Sequence, residues 1–271
     1  MKLKDWLDIN KKVFFDRDLR FLVKSVFFDS LALAVYDNPS LNEEKLHCLN
    51  EIKNLYAQGM PLPYILGKEE FLGWEFEITS DVLIPRKETE LIVEKAARLI
   101  KDNKLKTVLD LCTGSGNIGI SLKRLSKDIK VFSSDISLSA LKVTKNNIKS
   151  HKVKIGLINS DLFSAFKKNS FDLVISNPPY VSEELIRDSL KYEPRTALKA
   201  EDDGFSFIEE IIRDASGYLK KDGFIMLEVG YNHRERVELL VSFLGNFTII
   251  EWIKDYSNHD RGVILQLKNN G

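Results

Sequence analysis

Thr107-Val108-Leu109-Asp110-Leu111-Cys112-Thr113-Gly114-Ser115-Gly116-Asn117-Ile118-Gly119 is the stretch that decides the fold. Its first five residues are a short, mostly apolar run, as in a strand buried on both faces. Gly114 and Gly116 follow, where the chain must turn sharply and where a missing Cβ lets the backbone approach a ligand. Asn117 then opens a helix whose first N–H groups would face that ligand. Strand, glycine turn and helix in this order form the first unit of a doubly wound α/β sheet. By letters the turn also reads Gly-x-Gly-x-x-Gly, and Asp135 ends the next strand, where its carboxylate can accept two ribose hydroxyls. A nicotinamide dinucleotide satisfies this pattern as well as other adenosine-containing ligands do.

Outward from the turn, strands and helices alternate. Helices are predicted over 88–101, from Asn117, and at 138–150, 205–219 and 233–244. Strands are predicted at 107–111, 130–134, 153–158, 171–176, 223–229, 247–253 and 262–267. This alternation predicts a seven-stranded, mostly parallel sheet covered on both faces. The last two strands have no long helix between them, so they should close the sheet as an antiparallel hairpin.

Upstream, residues 1–62 read as a small helical domain. Leu3, Trp6, Leu7, Asn10, Val13 and Phe14 recur at helical spacing, as do Leu19, Leu22, Val23, Val26 and Phe27. Ser40 and Glu43 have the spacing of a capping box, opening a third helix that runs through Leu46, Leu49, Ile52 and Tyr56 to Gly59 and Pro61. In 63–86, Trp74, Phe76 and Ile78 alternate with Glu75 and Glu77, and Gly73 can turn the chain, so a β-hairpin linker is expected. Residues 87–271 form the expected catalytic domain. Trp6, Trp74 and Trp252 are expected in cores, and the lysines between Lys142 and Lys154 on a solvated face.

Charge and cysteine usage narrow the function. The chain holds 40 Lys/Arg and 40 Asp/Glu, but residues 1–85 carry only 10 of the former against 14 of the latter. A domain reading nucleic acid should carry the opposite sign, so the helical domain fits protein docking, and no direct nucleic-acid contact is expected. Cys48 and Cys112 stand far apart, and His47, His151, His233 and His259 show no ligand spacing, so no metal is expected. Cys112 has no recognisable histidine partner and reads as a small turn residue rather than a nucleophile. No apolar run approaches the roughly 20 residues of a membrane span. The start, Met1 to Trp6, is too polar for a secretory leader. A cytoplasmic monomer is the expectation.

Asn177-Pro178-Pro179-Tyr180 directly follows the strand 171–176, at the carboxyl edge where such sheets bind ligands. A dehydrogenase has no evident use for it. A carboxamide or an adenine N6 amine does, because its lone pair is delocalised and must be aimed at the electrophile. The Asn177 side-chain oxygen and the Pro178 carbonyl can each accept one N–H. The prolines stiffen the loop, and Tyr180 offers a flat face. Together the two motifs predict methylation of a planar amine, with positioning and electrostatics as the source of rate.

These residues resemble the HemK/PrmC family, the release-factor glutamine methyltransferases. The resemblance extends over nearly the whole chain, through Leu83-Ile84-Pro85-Arg86-Lys87-Glu88-Thr89-Glu90, the glycine turn, Ser160-Asp161-Leu162-Phe163, Asn177 to Tyr180, Tyr192-Glu193-Pro194-Arg195-Thr196-Ala197-Leu198 and Leu227-Glu228-Val229-Gly230-Tyr231. It implies a Rossmann-like methyltransferase using S-adenosylmethionine, with S-adenosylhomocysteine as product. The implied acceptor is the glutamine N5 of the Gly-Gly-Gln loop in peptide chain release factors. A glutamine of a ribosomal protein and, less favoured by the acidic domain, adenine N6 are the alternatives. On the resemblance, Cys112, Thr113, Gly114, Ser115 and Gly116 would wrap the methionine part, Asp135 the ribose, and Phe163 would lie near the adenine, with Asp161 and Leu162 shaping its pocket. Asn177, Pro178, Pro179 and Tyr180 would hold the amide, with Asn177 also touching the cofactor. The segment from Pro85 to Glu90 would line the mouth. Arg86 and Glu88 could instead be a surface pair. Cys112 departs from the usual first glycine, Lys87 from a common proline and His233 from a common glutamine, and the loop 198–204 has fewer glycines than expected.

Overall fold

The computed structural model describes residues 1–27, 31–180, 192–194, 197 and 204–269. The chain forms two compact units, Met1–Lys68 and Glu69–Gly271.

In the first unit, the described helices are α1 (Leu3–Asn10), α2 (Asp16–Phe27), α3 (Leu31–Asp37), α4 (Glu43–Ala57) and α5 (Leu62–Leu66). They enclose a core built on Leu3, Trp6, Leu22, Val23, Leu49 and Leu62. The expected first helix stops at Asn10, so Val13 and Phe14 lie beyond it. Phe14 still reaches the core from the turn, against the Tyr56 ring at 4.7 Å. The cap of α4 is Asn42, whose side chain accepts the Lys45 N–H at 2.9 Å, and not Ser40. Leu41 is drawn into the core, and Ser40 pairs with Lys2 instead, which leaves Asn42 beside the open N–H groups of the first turn.

The second unit opens with a hairpin of β1 (Lys68–Phe71) and β2 (Trp74–Glu77). Leu72 and Gly73 both take positive φ, 50° and 75°, the backbone that a two-residue hairpin turn with the right twist requires. The Asn147 side chain accepts the Glu77 N–H at 2.8 Å and donates to the Glu77 carbonyl at 3.0 Å. Thereafter come α6 (Lys87–Asp102), β3 (Thr107–Leu111), α7 (Asn117–Leu125), β4 (Lys130–Asp135), α8 (Leu138–Ser150), β5 (Gly156–Asn159) and β6 (Phe171–Ser176). The chain ends with α9 (Ser206–Ala215), β7 (Leu219–Glu228), α10 (Arg234–Leu244), β8 (Phe247–Lys254) and β9 (Asp260–Leu267).

Seven strands form one sheet in the order β5-β4-β3-β6-β7-β9-β8. The first five pair in parallel, and β9 runs antiparallel to both of its neighbours. This is the doubly wound α/β fold with an antiparallel closing hairpin. Its interior strands carry Leu109, Leu111, Val174, Ile225, Leu227 and Val263 into a core completed by Ile208 and Ile211 of α9. Helix α9 ends at Ala215, short of the expected 219, because Leu219 already pairs with Phe171 and starts β7. The order reverses at β3, with β4 on one side and β6 on the other, so a crevice opens at their carboxyl ends.

Candidate active site

Register brings the motif residues together. Leu111 pairs with Ser134 on one side and with Ser176 on the other. The next residue along each strand is therefore Cys112, Asp135 and Asn177, so all three lie at one level, Asp135 as the last residue of β4 and the other two just beyond β3 and β6. In the turn after β3, Gly114 and Gly116 take φ of 55° and 83°. Cys112 also takes positive φ, 56°, a conformation that costs a side chain with a Cβ. Burial pushes its thiol up to about 12, so it is no nucleophile at neutral pH.

Two carboxylates brace the turn. Asp135 accepts the Gly114 N–H on one oxygen and the Ser137 N–H on the other, each at 2.9 Å. The Ile136 N–H supports the same carboxylate, which retains acceptor capacity for a ligand hydroxyl. Asp110, fully buried in β3, accepts the Thr113 hydroxyl, the Gly119 N–H at 3.1 Å and the Ser133 hydroxyl at 3.2 Å on one oxygen. Its other oxygen has no partner among the described residues, and burial pushes its carboxyl up to about 7. A Cβ on Gly119 would overlap Ser133 Oγ and crowd the same Asp110 oxygen, so the third glycine serves helix–strand packing.

Asn177 is held from behind by a chain of hydrogen bonds. Its Nδ2 donates to Thr89 Oγ1 at 3.3 Å. The Thr89 hydroxyl donates to Glu228 Oε2 at 2.6 Å, and the Tyr180 hydroxyl donates to Glu228 Oε1 at 2.8 Å. Glu228 is buried at the end of β7, and burial pushes its carboxyl up while the two hydroxyl donors hold it down. Thr89 and Glu228 were visible in the sequence only as members of longer resembling segments; nothing marked them as partners. Arg86, read as a possible partner of Glu88, instead pairs with the buried Glu193 at 2.5 Å. Arg195, Thr196 and the loop from 198 to 203 lie outside the described residues.

The crevice holds a cavity of about 330 Å³, within the size range of small-molecule sites. Of the expected site residues, Cys112, Thr113, Gly114, Ser115, Asp135, Asn177 and Pro179 line it, as do Pro85, Arg86 and Thr89. Gly116, Pro178, Tyr180 and Phe163 stand behind this lining. Phe163 is buried and stacks on Tyr218 at 4.6 Å, while its neighbours Asp161 and Leu162 form the wall. Among the described residues, Asp81, Asp135, Asp161 and Glu210 line the cavity, with the guanidinium of Arg86 as the basic group. Such a wall is electrostatically suited to a cationic sulfonium.

Fold and cavity define a Rossmann-like methyltransferase. Residues 87–193 match the methyltransferase small domain family. The hMettl16 catalytic domain, solved in complex with a MAT2A 3′UTR hairpin, superposes over 81% of this chain and 82% of its own with a TM-score of 0.59, at 16% identity. That likeness is one of fold. A release factor glutamine methyltransferase of Clostridium acetobutylicum is 34% identical over 280 residues, spanning 97% of this chain and 98% of the relative. A ribosomal protein uL3 glutamine methyltransferase of Francisella tularensis is 39% identical over 206 residues, 73% of this chain and 66% of the relative. The chain belongs to the release factor glutamine methyltransferase family.

Proposed function

We propose that this protein transfers the methyl group of S-adenosylmethionine to the side-chain amide nitrogen of the glutamine in the Gly-Gly-Gln loop of peptide chain release factors. S-adenosylhomocysteine is then the product. The observation that carries the reading is Asn177 on the wall of an acid-lined cavity, level with the glycine turn and Asp135. The helical unit, expected over 1–62 and carried on by α5 to Leu66, would dock the release factor, and the unit that the β1–β2 hairpin opens would be catalytic.

The residues divide the work. Cys112 to Gly116 cradle the methionine part, Asp135 takes ribose hydroxyls, and Asp161 and Leu162 flank the adenine, with Phe163 packed beneath them. S-adenosylmethionine supplies a methyl on a sulfonium sulfur, which keeps the electron pair of the broken C–S bond. Asn177 Oδ1 and the Pro178 carbonyl accept the two amide N–H bonds, which orients the nitrogen lone pair. Pro179 flanks the amide plane, and Tyr180, tied to Glu228 behind the lining, holds the loop that carries it. No strong base is required before attack, because the extra proton turns acidic once the nitrogen carries the methyl.

The test is methyl transfer to an intact release factor, to ribosomal protein uL3 and to DNA in parallel, followed by mass mapping. Methyl on the Gly-Gly-Gln glutamine supports the reading, and methyl on uL3 alone overturns it in favour of the relative from Francisella tularensis. Asn177→Ala should keep cofactor affinity and lose about 100-fold or more in kcat. Titration calorimetry should give binding of S-adenosylmethionine and none of NAD.

A further inference from the structure

We infer that Glu228, acting through Thr89, fixes which end of the Asn177 amide faces the cavity. The inference rests on the glutamine-methylation reading, since it concerns how Asn177 receives an amide N–H.

A side-chain amide has nearly the same shape either way round, so its partners alone decide where oxygen and nitrogen point. An ionised carboxylate only accepts hydrogen bonds. Burial raises the Glu228 carboxyl, but the two hydroxyl donors favour its ionised form, and so charged it takes the single hydroxyl proton of Thr89 on Oε2 and that of Tyr180 on Oε1. Thr89 has no proton left for Asn177 and offers it lone pairs only. Asn177 must turn Nδ2 towards Thr89, as observed at 3.3 Å, which leaves Oδ1 free to accept. A substrate carboxamide presents two N–H donors on the nitrogen to be methylated, and the reverse orientation would set donor against donor. Glu228 is buried and stands behind the cavity wall, so it and Thr89 are positioning residues, one end of a polarity relay that runs from β7 through α6 to the loop after β6.

Steady-state methyl transfer to an intact release factor tests this. Thr89→Val keeps the shape and removes the hydroxyl; kcat should fall about tenfold or more with little change in KM for S-adenosylmethionine. Thr89→Ser should restore the rate to within about threefold of the parent. In an Asn177→Ala background, Thr89→Val should cost nothing further, because its effect runs through Asn177. Glu228→Gln is the second variant, since its amide can donate to Thr89 and free the hydroxyl proton to turn Asn177 round; it too should lower kcat. A readout needing no methyl acceptor is the side-chain amide NMR signal of Asn177, assigned by its loss in Asn177→Ala. That signal should shift and exchange faster in Thr89→Val but not in Thr89→Ser. An unchanged signal in Thr89→Val, or additive loss in the double variant, overturns the relay even where release factors are methylated. If the parent methylates no release factor, the functional reading falls, and the amide signal alone then decides the relay.

Discussion

Cys112 and Gly204 sit at opposite ends of the same question, which is whether a side chain belongs at a position with positive φ. At Cys112 the backbone is left-handed, φ 56°, with a Cβ present. Cys112→Gly should relieve roughly 1 kcal/mol of that strain, offset in part by the entropy of the unfolded chain. Denaturant unfolding should give a midpoint equal to the parent's or higher, with methyl transfer retained. Gly204 has φ 86°, and a Cβ there would run into the Tyr180 carbonyl. Gly204→Ala should displace the Asn-Pro-Pro-Tyr loop and lower kcat more than thermal stability, a split that parallel rate and melting measurements will read. Asp135 and Asn177 stand out as candidates in the sequence because one ends a strand, the other follows one, and each bears a chemistry-rich side chain. The Thr89–Glu228 contact does not, since its partners lie 139 positions apart and only folding puts them together.

The β3–turn–α7 element shows what a local sequence carries. Its strand, its two positive-φ glycines and its helix start all follow from residues 107–119, because each feature is set by near neighbours. What the letters do not display is that Asp110 ties strand, turn and helix together from inside, through Thr113 and Gly119. Gly119→Ala should push α7 off the sheet and destabilise the fold by about 1–3 kcal/mol, measurable by urea unfolding. In the helical unit, α3 and α5 escaped the sequence reading because seven and five residues are too few for a periodic pattern. The cap moved from Ser40 to Asn42 because burial of Leu41, a tertiary event, chose between two suitable side chains.

For the whole molecule, buried carboxyls set how stability depends on pH. Asp110 rises from 3.8 to about 7 on folding, so the folded state holds its proton more tightly than the unfolded one. Its stabilising contribution is full below the unfolded value and is lost as pH climbs through the folded value. Asp135 and Glu228 are shifted the same way, also by burial, whereas Asp172, held by Lys220, is shifted down. Thermal unfolding from about pH 5 to pH 8 should show a falling midpoint, as stability drops by up to about 1.4 kcal/mol per pH unit for one such group. Asp110→Asn should flatten that fall, and a parallel slope would count against the assignment. The four carboxylates lining the cavity bear on turnover as well as on ligand choice. On the proposed function, methyl transfer would convert a sulfonium into a neutral thioether and so discharge its own anchor: the wall that would draw the cosubstrate in would have less hold on what is left. The affinity ratio of S-adenosylmethionine to S-adenosylhomocysteine should accordingly shrink as salt is added, and product release should be the step least sensitive to ionic strength.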